Sequence, residues 1–104
     1  MKIGYAVEGS TDRALLEGLR RRWCPQATPV EGAFRGSTGT SQRREMPRTC
    51  EELAYKGAQV IIFLRDANKE NWREVLKADE ARCPVEYKHL TIVGVCDRNA
   101  ECWI

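Results

Sequence analysis

Six oxygen-bearing side chains, in three separated stretches, have the types and spacing that metal-assisted chemistry needs. Glu8 and Asp12 stand four residues apart, just after the apolar segment 3–7. Asp66 and Asn68 follow the apolar run 60–64, and Asp97 and Glu101 follow the run 90–95. Parallel strands bring their carboxyl ends to one rim, where open α/β sheets place their ligands. If the three apolar segments are such strands, the six side chains share that rim. Crowded carboxylates repel one another unless a cation sits among them. A donor set of oxygens alone favours Mg²⁺ or Mn²⁺ over zinc. Such an ion can polarise a phosphodiester and activate water.

The elements that must position these groups follow from hydrophobic periodicity. Residues 3–7 read as a buried strand. Ser10 or Thr11 can cap the next helix, in which Leu15, Leu16, Leu19 and Trp23 share one face. Arg13, Glu17, Arg20 and Arg21 take the other face, and Pro25 ends the helix. Residues 30–34 are a second strand candidate, weakened by Gly32 and the flanking Pro29. Residues 35–48 have no periodicity and read as a polar loop holding Arg35, Arg43, Arg44 and Arg48. Residues 49–52, Thr-Cys-Glu-Glu, fit a capping box for a short helix ending near Gly57. The run 60–64 fits a strand covered on both faces. Residues 66–71 form a turn, and Asn71 with Glu74 caps a third helix carrying Trp72, Val75 and Leu76 inward. Pro84 stops the helical pattern, and 90–95 is the last strand. Strands alternating with helices over long connections predict one α/β domain spanning 1–104. It has a four-stranded, mainly parallel sheet with helices on both faces.

Composition narrows the function classes. The chain has 104 residues, 42% hydrophobic and 31% charged, which suits a single small core rather than a disordered polymer. A formal net charge of +2 excludes a polycation, so affinity for nucleic acid must come from local clustering. No apolar run approaches the roughly 20 residues of a membrane span. The first residues lack the pattern of a secretory leader, so a cytoplasmic protein is expected. Its five cysteines, Cys24, Cys50, Cys83, Cys96 and Cys102, are then expected to be reduced and mostly buried as small apolar groups. Scattered thiols and a single histidine, His89, disfavour zinc. The fingerprints of hydrolase triads and of nucleotide phosphate loops do not occur.

The order of these motifs resembles a known family. Residues 7–12, Val-Glu-Gly-Ser-Thr-Asp, followed by an apolar strand that ends in Asp66, Ala67 and Asn68, are similar to the Toprim fold. That fold is shared by topoisomerases, bacterial primases and the overcoming-lysogenization-defect nucleases. The E-G-x-T-D form, with the stretch 99–104, resembles most the small stand-alone Toprim-like proteins of the DUF4276 type and the nuclease branch. The likeness covers nearly the whole chain. It implies a Rossmann-like sheet, a Mg²⁺ or Mn²⁺ cofactor and action on nucleic-acid phosphodiesters. It further implies that Glu8 is a metal ligand and the catalytic acid or base, and that Asp12 is the second acid of the nuclease branch. Asp66 would be the first aspartate of a D-x-D motif that binds the metal. Asn68 departs from that motif; it is a neutral oxygen donor and brings less charge to an ion, with Glu70 two residues further on. The chain is too short for the tyrosine-bearing domain of a topoisomerase, or for a primase.

Each candidate also has a plain structural reading. Glu8 and Asp12 suit the start of a helix, where acids meet the positive end of the dipole. Asn68 suits a turn. Asp97 and Glu101 have no following helix to orient them. The loop arginines Arg35, Arg43, Arg44 and Arg48 suit either phosphate contacts or a solvated loop. Residues 20–22 suit a solvated helix face, and Trp23 and Trp72 suit a core. Two functions remain. One is a Mg²⁺-dependent Toprim-like protein acting on DNA or RNA, as a nuclease or the catalytic part of one. The alternative is a non-catalytic Toprim-like module that binds nucleic acid or protein, with a homodimer or partner protein covering the edge after the last strand. A phospho-acceptor receiver fits less well, since five strands and a lysine after the last strand are expected and Cys96, Asp97 and Arg98 stand there.

Overall fold

Apolar runs without an alternating polar face must be covered on both sides, and this pairs the segments at 3–7 and 60–64 in the middle of one sheet. The computed structural model describes residues 1–7, 10–30, 39–67 and 69–96, with the backbone alone for 10–12 and 39–41. Along the chain come β1 (Lys2–Val7), α1 (Ser10–Trp23), β2 (Thr28–Val30), α2 (Gly39–Arg44), α3 (Met46–Tyr55), β3 (Val60–Asp66) and α4 (Trp72–Arg82). A 3₁₀ segment, Val85–Leu90, then leads into β4 (Thr91–Cys96). The sheet order is β2-β1-β3-β4 and every pairing is parallel. The chain is thus an α/β protein with a four-stranded parallel sheet and helices on both faces.

The two faces divide the core. Ile3, Tyr5 and Val7 of β1 pack with Leu16 of α1 and Leu64 of β3, and Leu15 and Leu19 add to this cluster. Ala6 faces the other way, with Met46, Cys50 and Leu53 of α3 and with Ile61 and Phe63 of β3. Gly4 lets α3 lie close: a Cβ there would stand 3.1 Å from both terminal carbons of Leu53. On the side of α1, Ile92 of β4 is left 58% exposed. No helix among the described residues is long and apolar enough to cross a membrane.

Several local expectations are corrected. β2 is Thr28–Val30, not 30–34; residues 31–34 lie outside the described set. The stretch 35–48 is not all loop, because Gly39–Arg44 is helical and α3 begins at Met46. Thr49 is therefore no cap. It is buried inside α3 and its hydroxyl donates to the Glu45 carbonyl at 3.1 Å. Pro47 suits the first turn of a helix, and Met46, Cys50 and Leu53 make the inward stripe; together these outweigh the capping-box pattern. Gly57, with φ 96°, follows the end of α3 in the left-handed conformation that glycine tolerates. Trp23 is 68% exposed rather than in the core, because it closes α1 beside Met1, the residue before β1 starts. Asn71 behaves as expected: its side chain accepts from the Arg73 and Glu74 amides. Val75 is buried, while Trp72 and Leu76 are partly buried. Of the cysteines, Cys50, Cys83 and Cys96 are buried and Cys24 is exposed.

Tyr5 ties α1 to β1 and carries a measurable consequence. Its phenol donates to Glu17 at 3.2 Å. Burial first, then the Glu17 charge, pushes the phenol from 10.0 up to about 12. The folded state then holds this proton more tightly than the unfolded chain. The stability so gained is complete below the unfolded value and is lost as pH rises towards the folded one. Burial raises the Cys50 thiol from 9.0 to about 12 with the same sign. The urea midpoint is expected to fall between pH 9 and 12, first through Cys50 and then also through Tyr5, and Tyr5→Phe should flatten the part of that fall above pH 10. An unchanged alkaline slope in the variant would remove Tyr5 from this role.

Candidate functional site at the carboxyl rim

The sheet order places a break in connection direction between β1 and β3. From β1 the chain passes through α1 to β2 on one side; β3 and β4 lie on the other. Crevices at the carboxyl ends of such neighbours are where doubly wound sheets bind ligands. Register fixes which positions meet there. Val7 pairs with Leu64, and Asp66 pairs with Cys96. The Ala67 amide donates to the Cys96 carbonyl at 2.9 Å, which holds the end of β3 against the end of β4.

Asp66 closes the central strand at this rim. It is half-buried, and its Oδ1 is withdrawn from solvent. It is thus a hard oxygen donor held on a rigid strand, the type of atom that suits Mg²⁺. Glu8, Asn68, Asp97 and Glu101 lie outside the described residues, as does the side chain of Asp12. Among the described residues, no three His, Cys, Asp or Glu side chains gather as a metal site. Asp66 is accordingly the one expected donor whose side chain can be placed.

The arginines divide. Arg35 lies outside the described residues. Arg44 and Arg48 are exposed on α2 and α3, with Arg48 Nη1 3.6 Å from Glu45 Oε2. Arg43 does not present itself as a loop arginine. Its Nε donates to Asp79 Oδ1 at 2.6 Å. Its Nε is engaged by a carboxylate inside the fold, while the side chain stays 32% exposed.

Asp79 joins two cations. Besides Arg43 on α2, its Oδ2 lies 3.2 Å from Nε of Arg65, the residue before Asp66. Asp79 is 3% and Arg65 5% exposed. A second tie between the same helices runs from Arg82 Nη2 to the Arg44 carbonyl at 3.2 Å. Through Arg65, α2 and α4 are thus fastened to the end of the strand that carries Asp66. Sequence reasoning missed this bridge. The available signal was that Asp79 stands four residues after buried Val75, so the inward stripe of α4 runs through an acid. Gln42 of α2 was also missed. It is 4% exposed, and neither amide atom has a hydrogen-bond partner among the described residues.

Compared with known proteins, the chain matches no family model, no curated protein and no solved structure.

Proposed function

We propose that the protein is a Toprim-like, Mg²⁺- or Mn²⁺-dependent protein that acts on nucleic-acid phosphodiesters, as a nuclease or the catalytic part of one. The observation that carries this reading is the register of Val7 with Leu64. It sets the residue before Glu8 across from the end of β3, two residues short of Asp66. The divalent ion would polarise the scissile phosphate and lower the pKa of an attacking water. Glu8 would accept the proton from that water, and Asp66 would supply a hard oxygen ligand. Arg44 and Arg48 would hold the flanking phosphates. Arg65 and Asp79 would keep the end of β3 in place.

A second reading has one observation in its favour. Ile92 on β4 is exposed on an apolar face, which suits a non-catalytic module that binds a protein or a second copy. Calorimetric titration with Mg²⁺ and Mn²⁺, then incubation with plasmid and single-stranded DNA, separates the two. Metal-dependent cleavage supports the enzyme. Binding of DNA that persists in EDTA, without cleavage at any protein concentration, favours the module. Reversing Arg44 and Arg48 to glutamate should weaken DNA binding on the order of tenfold. Unchanged affinity in a gel-shift titration would take both residues out of the phosphate track.

A further inference from the structure

Two thiols away from the rim are packed against each other. Cys50 on α3 and Cys83, just past the end of α4, lie in one buried cluster with Leu53, Ile61 and Phe63. Cys83 is the side-chain neighbour that, after burial, acts most on the Cys50 thiol, and the Cys83 thiol itself donates to the Pro84 carbonyl at 3.8 Å. The Thr91 hydroxyl, which donates to the Tyr87 carbonyl at 2.7 Å, also contacts Cys50. Cys50 is fully enclosed. Cys83 also lines a cavity of about 300 Å³ with Glu80, Lys88, Thr91 and Val93. Cys83 thus borders a cavity, and Cys50 is enclosed in the same cluster.

We propose that Cys50 and Cys83 form a reversible disulfide when a small-molecule disulfide enters this cavity. The Cys83 sulfur attacks one sulfur of the reagent, the reagent's S–S bond breaks, and one thiol leaves with the Cys83 proton. The Cys50 sulfur then attacks Cys83 in the mixed disulfide and expels the second thiol, which carries off the Cys50 proton. Two electrons and two protons pass to the reagent, which is reduced to two thiols, while the protein dithiol is oxidised. The order of attack follows from access and charge. Cys83 meets the cavity, whereas burial, with Cys83 as neighbour, holds the Cys50 thiol up at about 12 and quiet until the mixed disulfide sits beside it. The new bond ties α3 to the link between α4 and β4. It closes a loop that contains β3 and α4 and restricts the unfolded chain.

The test treats the folded full chain with hydroxyethyl disulfide, then maps its peptides by mass spectrometry without reduction. The expected result is loss of two hydrogen masses, a peptide pair joined through Cys50 and Cys83, and a melting temperature higher by ~10 °C. Added dithiothreitol should reverse all three. Cys24→Ser should leave the cross-link intact and Cys83→Ser should abolish it; the wild-type peptide map decides the matter if Cys83→Ser fails to fold. A map showing adducts only on other cysteines overturns the proposal. So does a Cys50–Cys83 cross-link that forms only after denaturant is added, since the two sulfurs would then not meet in the folded protein.

Discussion

Asp79→Ala is expected to lower the unfolding free energy by about 3–5 kcal/mol, the range found when one partner of a buried ion pair is removed. The magnitude follows from what stays behind. Arg65 is buried on the central strand, so losing Asp79 takes a close counter-charge from a cation held out of water. Arg43 has a side chain 32% exposed and can turn outward. Arg43→Ala, which leaves Asp79 paired with Arg65, should therefore cost only about 1–2 kcal/mol. The double replacement Arg65→Met with Asp79→Leu should recover part of the loss, because it removes the buried Arg65 charge together with its counter-charge. Urea unfolding of the wild type and the three variants measures all of this. A loss below about 1 kcal/mol for Asp79→Ala would mean that the bridge behaves like a solvated pair.

Asp66→Asn and Glu8→Gln are expected to remove the heat of Mg²⁺ binding and to bring cleavage of plasmid DNA down at least ~100-fold, the usual worth of a positioned acid–base group. Both substitutions keep size and shape and delete charge, so they change the ligand with little change of volume. Asp66 sits at the end of β3, where register with β1 and β4 already sets the backbone. Its loss should therefore be read in metal affinity, with urea midpoints measured beside it as the control for the fold. Intact cleavage by both variants would sink the metal-centred reading. Variants that lose neither fold nor DNA affinity, beside a wild type that never cleaves, would leave the binding module.

The parts of the fold that could be read from the chain were those where one local signal was strong. Continuous apolar runs gave β1, β3 and β4, and Asn71 two and three residues ahead of its amide partners gave the start of α4. The start of α3 could not be read this way. Thr49 with Glu52 mimics a cap, and only the packing of Met46 under the sheet shows that the helix is already under way. Trp23 kept helical spacing with Leu19, but spacing does not say where the sheet beneath a helix ends. Asp66 could be placed at the rim from its apolar run alone, whereas nothing local says which other donors reach it. The Arg43–Asp79–Arg65 bridge joins residues distant in sequence, and each alone looks like an ordinary surface charge. The thiol pair is hidden for the same reason. Cys50 and Cys83 have no motif spacing and meet only because α3 and the end of α4 cover the same strands.

The inward commitment of Arg43 has a consequence for ionic strength. Each phosphate that a basic side chain neutralises expels about 0.9 of a condensed counterion from a duplex. The cluster at 43–48 holds three guanidinium groups in the sequence, but one of them already faces a carboxylate inside the fold. The contribution of this cluster to a plot of log affinity against log salt should then have a slope of about −1.8, the value for two contacts rather than three.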